Sequence, residues 1–171
     1  MYGTVNESLT FFDDRLHASA WENAAGSDRE KALKQASHML DRLSWAGERA
    51  AAATVRTAQI AASGYVTSEK LINEAGLTQT HAFPRGTDTV IPTALKEACF
   101  LIAYALLIDG EDINADFATL GVSSEGHSSI RVSYNNRLLP HIAAGVPSFE
   151  AWQMISPFLQ ENNEIEISRV S

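Results

Sequence analysis

The chain has 171 residues, of which 45% are hydrophobic and 20% charged, as is typical of a single globular domain with a sizeable core. Its formal net charge of -8 argues against broad contact with nucleic-acid phosphates, because such contact depends on lysines and arginines that displace counterions. The only cysteine is Cys99, which excludes an intramolecular disulfide and any zinc site built from several thiolates.

The N-terminal residues lack the basic region and the apolar run of a signal peptide. The longest apolar stretch, residues 98–108, is shorter than the roughly 20 residues that cross a bilayer. We therefore expect a soluble protein, present in or assembled in a reducing cytoplasm.

Two capping patterns predict the first helices. Thr4 with Glu7 has the form of a capping box, and Ser27 with Glu30 repeats that form. Apolar residues then recur at steps of three and four, which predicts a main helix over 28–44 with Gly47 as its terminator. The apolar positions of this second helix are Ala32, Leu33, Ala36, Met39, Leu40 and Leu43.

The middle of the chain predicts two shorter helices and one long apolar helix. Residues 50–63 read as a helix broken by Gly64, and residues 68–75 as a short helix stopped by Gly76. Pro92 suits the first turn of a helix, and the segment that follows, 93–108, is apolar on almost every side. We expect that helix to be central, packed by its neighbours or by another subunit.

The last third of the chain is less regular. Residues 127–134 alternate apolar and polar side chains, which predicts a half-buried strand or hairpin arm. Ser148 caps a short helix that Pro157 ends or kinks, and residues 161–171 form an extended tail. The predicted fold is mainly α: a compact helical bundle over 1–160 with a small β-hairpin or strand arm and that tail.

A search for catalytic and metal-binding patterns finds no phosphate loop, no HExxH motif and no histidine pair at ligand spacing. His127, with Ser128, Ser129 and the upstream Asp116, could form a hydrolase constellation. No nucleophile-elbow motif supports that interpretation, and such sets arise readily by chance. One acidic loop could bind calcium, but its spacing lacks the central glycine and the closing glutamate of an EF-hand. That loop contains Asp109, Glu111, Asp112, Asn114 and Asp116. We therefore predict no enzyme activity, no cofactor and no metal.

The segment Phe83-Pro84-Arg85 predicts a structural corner. The aromatic ring is expected to be buried and the proline to fix the backbone. Arg85 is expected to bind a backbone carbonyl, a carboxylate, or the carboxylate of a partner protein.

The order and spacing of several short motifs resemble the head–tail connector (adaptor) family of long-tailed bacteriophages, some members of which carry the label DnaT-like single-stranded-DNA-binding protein. The resemblance covers roughly residues 2–160, although the alanine-rich stretch between Gly47 and Phe83 is longer than the family leads us to expect. The motifs are Tyr2-Gly3-Thr4, the segment around Trp21, the helix from Ser27 to Leu40-Asp41, Trp45-x-Gly47, Phe83-Pro84-Arg85 and Ile91-Pro92.

This resemblance implies a helical subunit of a homo-oligomeric ring, twelvefold in the family, in the neck of the virion. Its implied partners are the portal protein, neighbouring copies, and a downstream stopper or tail protein, with DNA passing through the lumen without specific binding. The alternative function is that of a single-stranded-DNA-binding replication accessory protein, which the acidic composition disfavours.

We predict partner-binding residues in the corner and in the tail. The tail alternates apolar and acidic residues, so it is expected to be mobile in the free subunit and to add a strand to the portal or to a neighbouring copy. A merely disordered terminus is the alternative. The predicted partner-binding residues are Arg85, Glu164, Ile165, Glu166, Ile167 and Val170.

Overall fold

A computed structural model describes residues 1–109, the backbone of 124–127 and 130–133, and residues 139–160. The fold is mainly helical, as predicted. The helices in chain order are α1 (Val5–Asp13), α2 (Ser19–Asn23), α3 (Gly26–Asp41), α4 (Ala50–Ser63), α5 (Glu69–Thr78), α6 (Thr93–Asp109), α7 (Pro140–Ala143) and α8 (Phe149–Ile155), the last continued by a 3-10 turn, Ser156–Phe158.

Two short strands, β1 (Ser124–His127) and β2 (Ile130–Ser133), pair antiparallel, with Ser124 opposite Ser133 and His127 opposite Ile130. The second strand falls within the range predicted to be extended. The expected half-burial of its side chains and the predicted tail, 161–171, lie outside the described residues.

The chain divides into two compact units. Unit 1 consists of Met1–Leu43 and Ile91–Ile155, and unit 2 of Ser44–Val90 and Ser156–Ser171. Each unit therefore combines two segments that are distant in sequence.

Helix α6 forms the centre of unit 1, where it packs mainly against α3 and α8 and also touches α1 and α2. The observed range matches the predicted 93–108. Pro92 lies one position before the helix, and its carbonyl accepts the amides of Leu95 (3.0 Å) and Lys96 (3.2 Å). The buried residues of α6 are Leu95, Ala98, Cys99, Phe100, Leu101, Ile102 and Ala103.

One of the two predicted capping boxes is present. At α1, the Thr4 hydroxyl accepts the Glu7 amide and the Glu7 carboxylate accepts the Thr4 amide. The box predicted at Ser27 and Glu30 is wrong: α3 begins at Gly26, and no side chain caps it. The Glu30 carboxylate binds Lys34 at 2.6 Å instead of reaching back to the first turn.

Helix α3 ends at Asp41 and so falls short of the predicted residue 44. The reason is a long-range pairing in unit 2. The Ser44 carbonyl accepts the amide of Gln160 (2.9 Å), and the Ala46 amide donates to Phe158 (3.0 Å), which requires extended backbone there. Gly47 has a φ of 76°, but it lies in the turn beyond this pairing.

Helices α4 and α5 form a hairpin in unit 2, close to the predicted bounds. Gly64 ends α4 in the left-handed conformation (φ 79°), and the Ser68 hydroxyl accepts the Leu71 amide at the start of α5. Gly76 does not stop α5, which continues to Thr78. A Cβ at Gly76 would lie 3.4 Å from the Cβ of Ala52, so this glycine lets the two helices approach closely.

The final helix agrees with its prediction. The Ser148 hydroxyl accepts the Ala151 amide at 3.2 Å, and Pro157 lies in the 3-10 turn that ends the helical segment. Among the described residues, no helix is long and apolar enough to cross a bilayer.

Candidate partner-binding region

The first residues of the chain are fixed inside unit 1. Tyr2 is 1% exposed; its amide donates to the Ser37 hydroxyl at 3.1 Å, and its hydroxyl donates to the Asp41 carboxylate. A Cβ at Gly3 would overlap the ring of Phe100, so no larger residue fits beside α6. The Tyr2-Gly3-Thr4 motif therefore joins the chain start to α3 and α6; we call this contact the N-terminal joint.

Unit 2 contains a second joint, built from Trp45, Phe83 and Phe158, which we call the corner joint. The ring of Phe83 lies edge-on to Trp45 (centroids 4.8 Å apart) and to Phe158 (6.5 Å). Phe83 is 5% exposed, so the prediction that it is buried is confirmed. Edge-to-face packing of this kind stabilises a ring cluster by about 0.5–1.5 kcal/mol per pair beyond burial.

Arg85 closes the corner joint from its polar side. Its guanidinium donates to the carbonyls of Ala46 (2.8 Å), Ala82 (3.2 Å), Trp45 (3.3 Å) and Gly47. The prediction that Arg85 binds a backbone carbonyl is thus confirmed. These bonds use the guanidinium within unit 2, and contact between Arg85 and a partner stays a prediction.

The backbone also ties the corner joint together. The Ala50 amide donates to the Pro84 carbonyl (3.0 Å), and the Gly86 amide donates to Glu48 (2.8 Å). The peptide bond between Phe83 and Pro84 is cis. The segment before α4 and the segment after α5 therefore run side by side for two residues.

Two glutamines hold unit 2 together, and sequence reasoning missed both. Gln79 accepts the Ala51 amide (3.2 Å) and donates to the carbonyls of His81 and Pro84 (2.9 Å each), so it caps α4 from a distance. Gln59 accepts the amides of Thr67 and Ser68 (2.8 Å each), which closes the loop between α4 and α5. A glutamine that caps a distant segment has no local sequence signature. The only hint was that Gln79 lies shortly before the predicted corner, Phe83-Pro84-Arg85.

An ion pair network spans the same hairpin. The Arg56 guanidinium binds Glu48 (Nε to Oε1, 2.8 Å) and Glu69 (Nη1 to Oε1, 3.0 Å). The hydrogen bond from Arg56 lowers the pKa of Glu48, and the two carboxylates raise the pKa of Arg56. Because these groups are partly exposed, the network contributes modestly to stability.

Unit 1 carries a shallow groove between α1 and α6, with a volume of about 530 Å³. Its floor contains the rings of Phe11 and Phe100, whose centroids are 5.5 Å apart. On one wall, Lys96 binds Glu7 at 2.6 Å, and this hydrogen bond, with those from Thr4, lowers the pKa of Glu7 to about 2. We call this feature the α1–α6 groove.

The other candidate residues form no chemical site among the described residues. Cys99 is fully buried, and burial raises the pKa of its thiol to about 11. Within the described parts of the chain, no three histidine, cysteine or acidic side chains gather to hold a metal. The side chain of His127, the rest of the hydrolase set and most of the acidic loop lie outside what the structure describes. So do the tail residues Glu164, Ile165, Glu166, Ile167 and Val170.

Comparison with known proteins adds no relative: no family model, no curated protein and no solved structure matches the chain.

Proposed function

We propose that this chain is a structural subunit of the head–tail connector of a tailed bacteriophage, located in the neck of the virion. Copies form a ring that docks on the portal and links head to tail around the DNA channel. The proposal starts from the motif resemblance, which the sequence comparison leaves untested.

The observation that supports it is the pairing of those motifs in space. Tyr2-Gly3-Thr4 binds the Leu40-Asp41 end of α3, and Trp45-Ala46-Gly47 binds Phe83-Pro84-Arg85. In the N-terminal joint the buried Tyr2 binds the Ser37 hydroxyl and the Asp41 carboxylate, and in the corner joint buried rings pack together while Arg85 binds backbone carbonyls. Motif residues that pack and hydrogen-bond with one another serve the fold of the subunit, which is the role expected of a structural building block.

The cations of the described chain argue against the alternative, a single-stranded-DNA-binding protein. Ten lysines and arginines have described side chains, six in unit 1 and four in unit 2. Nine of them bind a carboxylate or a backbone carbonyl of the same chain. A protein that tracks a phosphate backbone needs cations that can exchange counterions for phosphate, together with stacking rings beside them.

The net charge suits a channel through which DNA moves. Twelve copies would carry 12 × -8 = -96 formal charges. A lumen that is acidic or neutral repels phosphate and eases the passage of DNA. A ring structure whose lumen is lined mainly by lysine and arginine would contradict this part of the proposal.

Mass measurement tests the proposal directly. Native mass spectrometry of the chain, alone and mixed with the portal protein of the same phage, is expected to show a complex with portal. A chain lacking residues 161–171 is expected to bind portal-bearing heads more weakly, because the predicted docking strand is lost.

A gel-shift with single-stranded DNA at two salt concentrations separates the two functions. The connector is expected to show little binding at either concentration. Strong binding that falls steeply with salt, without any complex with portal, would favour the replication accessory protein.

A further inference from the structure

Two carboxylates of the α1–α6 groove have no ion-pair partner among the described residues. Of its charged residues, Glu7 binds Lys96 at 2.6 Å, and Arg15 binds Glu150 at 2.6 Å. Asp14 and Glu97 also line the groove, and neither has an ion pair or hydrogen-bond partner for its carboxylate among the described residues. Asp14 is exposed and Glu97 half-exposed, so both remain available to a partner.

The floor of this groove specifies the kind of group that would bind there. Phe11 and Phe100, of which Phe100 is 3% exposed, line the groove together with the two carboxylates. An arginine side chain matches both features, because its aliphatic stem covers apolar surface and its guanidinium binds carboxylates and lies over aromatic rings. The Phe11 ring already accepts one such cation, since the Arg15 guanidinium carbon lies 4.9 Å from its centroid.

Among the residues whose side chains are described, one cation of the same chain matches the groove. Arg42 is the tenth of the lysines and arginines whose side chains are described, and it is the one without an ion pair or side-chain hydrogen bond to another described residue. It lies exposed at the C-terminal end of α3, next to half-buried Leu43. Because Arg42 binds neither Asp14 nor Glu97 within one chain, a contact between them requires a second copy.

We propose that Arg42 of one copy docks in the α1–α6 groove of a second copy, with its guanidinium bound by Asp14 and Glu97. The two surfaces differ, so the contact is heterologous and repeats from head to tail, which closes into a ring when the rotation per copy permits it. The inference rests on the proposed function, because it assigns the surface through which neighbouring copies of the proposed ring contact each other.

Charge reversal and mixing test this contact. In low salt, Arg42→Glu alone and Asp14→Lys/Glu97→Lys alone are each expected to weaken self-association by roughly tenfold or more, because like charges then face each other. An equimolar mixture of the two variants is expected to restore association, since each copy then meets a neighbour of opposite charge. Sedimentation equilibrium measures all of these affinities.

Matched variants control for a general effect of charge. Lys70→Glu reverses an exposed cation of unit 2, and Asp13→Lys/Glu22→Lys reverses two exposed carboxylates of unit 1 that do not line the groove. Both are expected to associate like the unaltered chain. Circular dichroism verifies that each variant folds, and Arg42→Gln replaces Arg42→Glu if the reversal prevents folding.

Three results would overturn the contact: association of Arg42→Glu at the unaltered affinity, a mixture that stays dissociated, or an unaltered chain that stays monomeric at the highest soluble concentration. Binding to the portal is measured separately. If one of these three results is obtained while the unaltered chain still binds portal, this interface is wrong and the proposed function stands.

Discussion

The two units are stabilised by different means. The described residues include 23 buried hydrophobic side chains, of which 18 belong to unit 1 and five to unit 2. Unit 1 packs helices around an apolar α6, whereas unit 2 combines one ring cluster with side chains that bind the backbone, chiefly Arg85, Gln79 and Gln59. The stability of unit 1 is therefore spread over many apolar contacts, whereas that of unit 2 depends on one ring cluster and a few hydrogen bonds.

This comparison leads to a first prediction, with the largest expected effect. Phe83→Ala is expected to lower the free energy of unfolding of unit 2 by about 3–5 kcal/mol, because it removes the ring at the centre of the corner joint. Thermal unfolding followed by tryptophan fluorescence measures the loss. The thiol of Cys99 reports on unit 1, since it reacts only when that unit opens.

Two further variants complete the test of Phe83→Ala. Ile102→Ala, in the core of unit 1, is expected to cost about 2–5 kcal/mol and to make Cys99 reactive, whereas Phe149→Ala, at a ring that is 56% exposed, should change little. If Phe83→Ala leaves the melting temperature unchanged, the anchor role is wrong. If it exposes Cys99 as fast as Ile102→Ala does, the two units do not open separately.

A second prediction concerns the directional bonds of unit 2. Gln79→Ala is expected to lower stability by about 1–3 kcal/mol, because it removes the side chain that accepts the Ala51 amide and donates to the carbonyls of His81 and Pro84. Gln35→Ala provides the control, since Gln35 is exposed on α3 and its loss should cost less than about 0.5 kcal/mol. Equal urea midpoints for the two variants would show that Gln79 does not stabilise the corner.

A third prediction, with the smallest effect, concerns acid. The pKa of Glu7 falls from 4.5 in the unfolded chain to about 2 in the fold, so its contribution is complete above pH 4.5 and is lost as pH falls toward 2. Because the groups are partly exposed, the loss is on the order of 0.5 kcal/mol. In unit 2 the pKa of Glu48 is lowered as well, by Arg56, and its contribution is also lost on acidification.

Glu7→Gln tests this prediction, because glutamine keeps the capping hydrogen bonds at α1 but cannot ionise. Its stability is expected to depend less on pH below 4.5 than that of the unaltered chain. Glu22→Gln alters an exposed carboxylate without a described partner and should leave the pH profile unchanged. If the stability of Glu7→Gln depended more steeply on pH than that of the unaltered chain, the ionised Glu7 carboxylate would not stabilise the fold and the prediction would be wrong.

Sequence reasoning identified the elements whose causes are local. The capping box at Thr4, the left-handed Gly64, the cap at Ser148 and the apolar run of α6 all depend on neighbours within one or two turns. Each therefore has a pattern that can be recognised without knowing the fold. The burial of Phe83 and the binding of Arg85 to carbonyls were also predictable, since proline fixes the backbone beside them.

The sequence alone thus determined the mainly helical class, the central position of α6 and the nature of the corner. Only the tertiary structure decided where α3 ends, because Ser44 pairs with Gln160, 116 positions away. It also decided that Gly76 continues a helix, that Gln79 caps α4, and that two carboxylates of the α1–α6 groove find no partner in the described part of the chain. Hydrogen bonds and charges that join distant segments leave no periodic trace in the chain, since either partner alone is compatible with many environments.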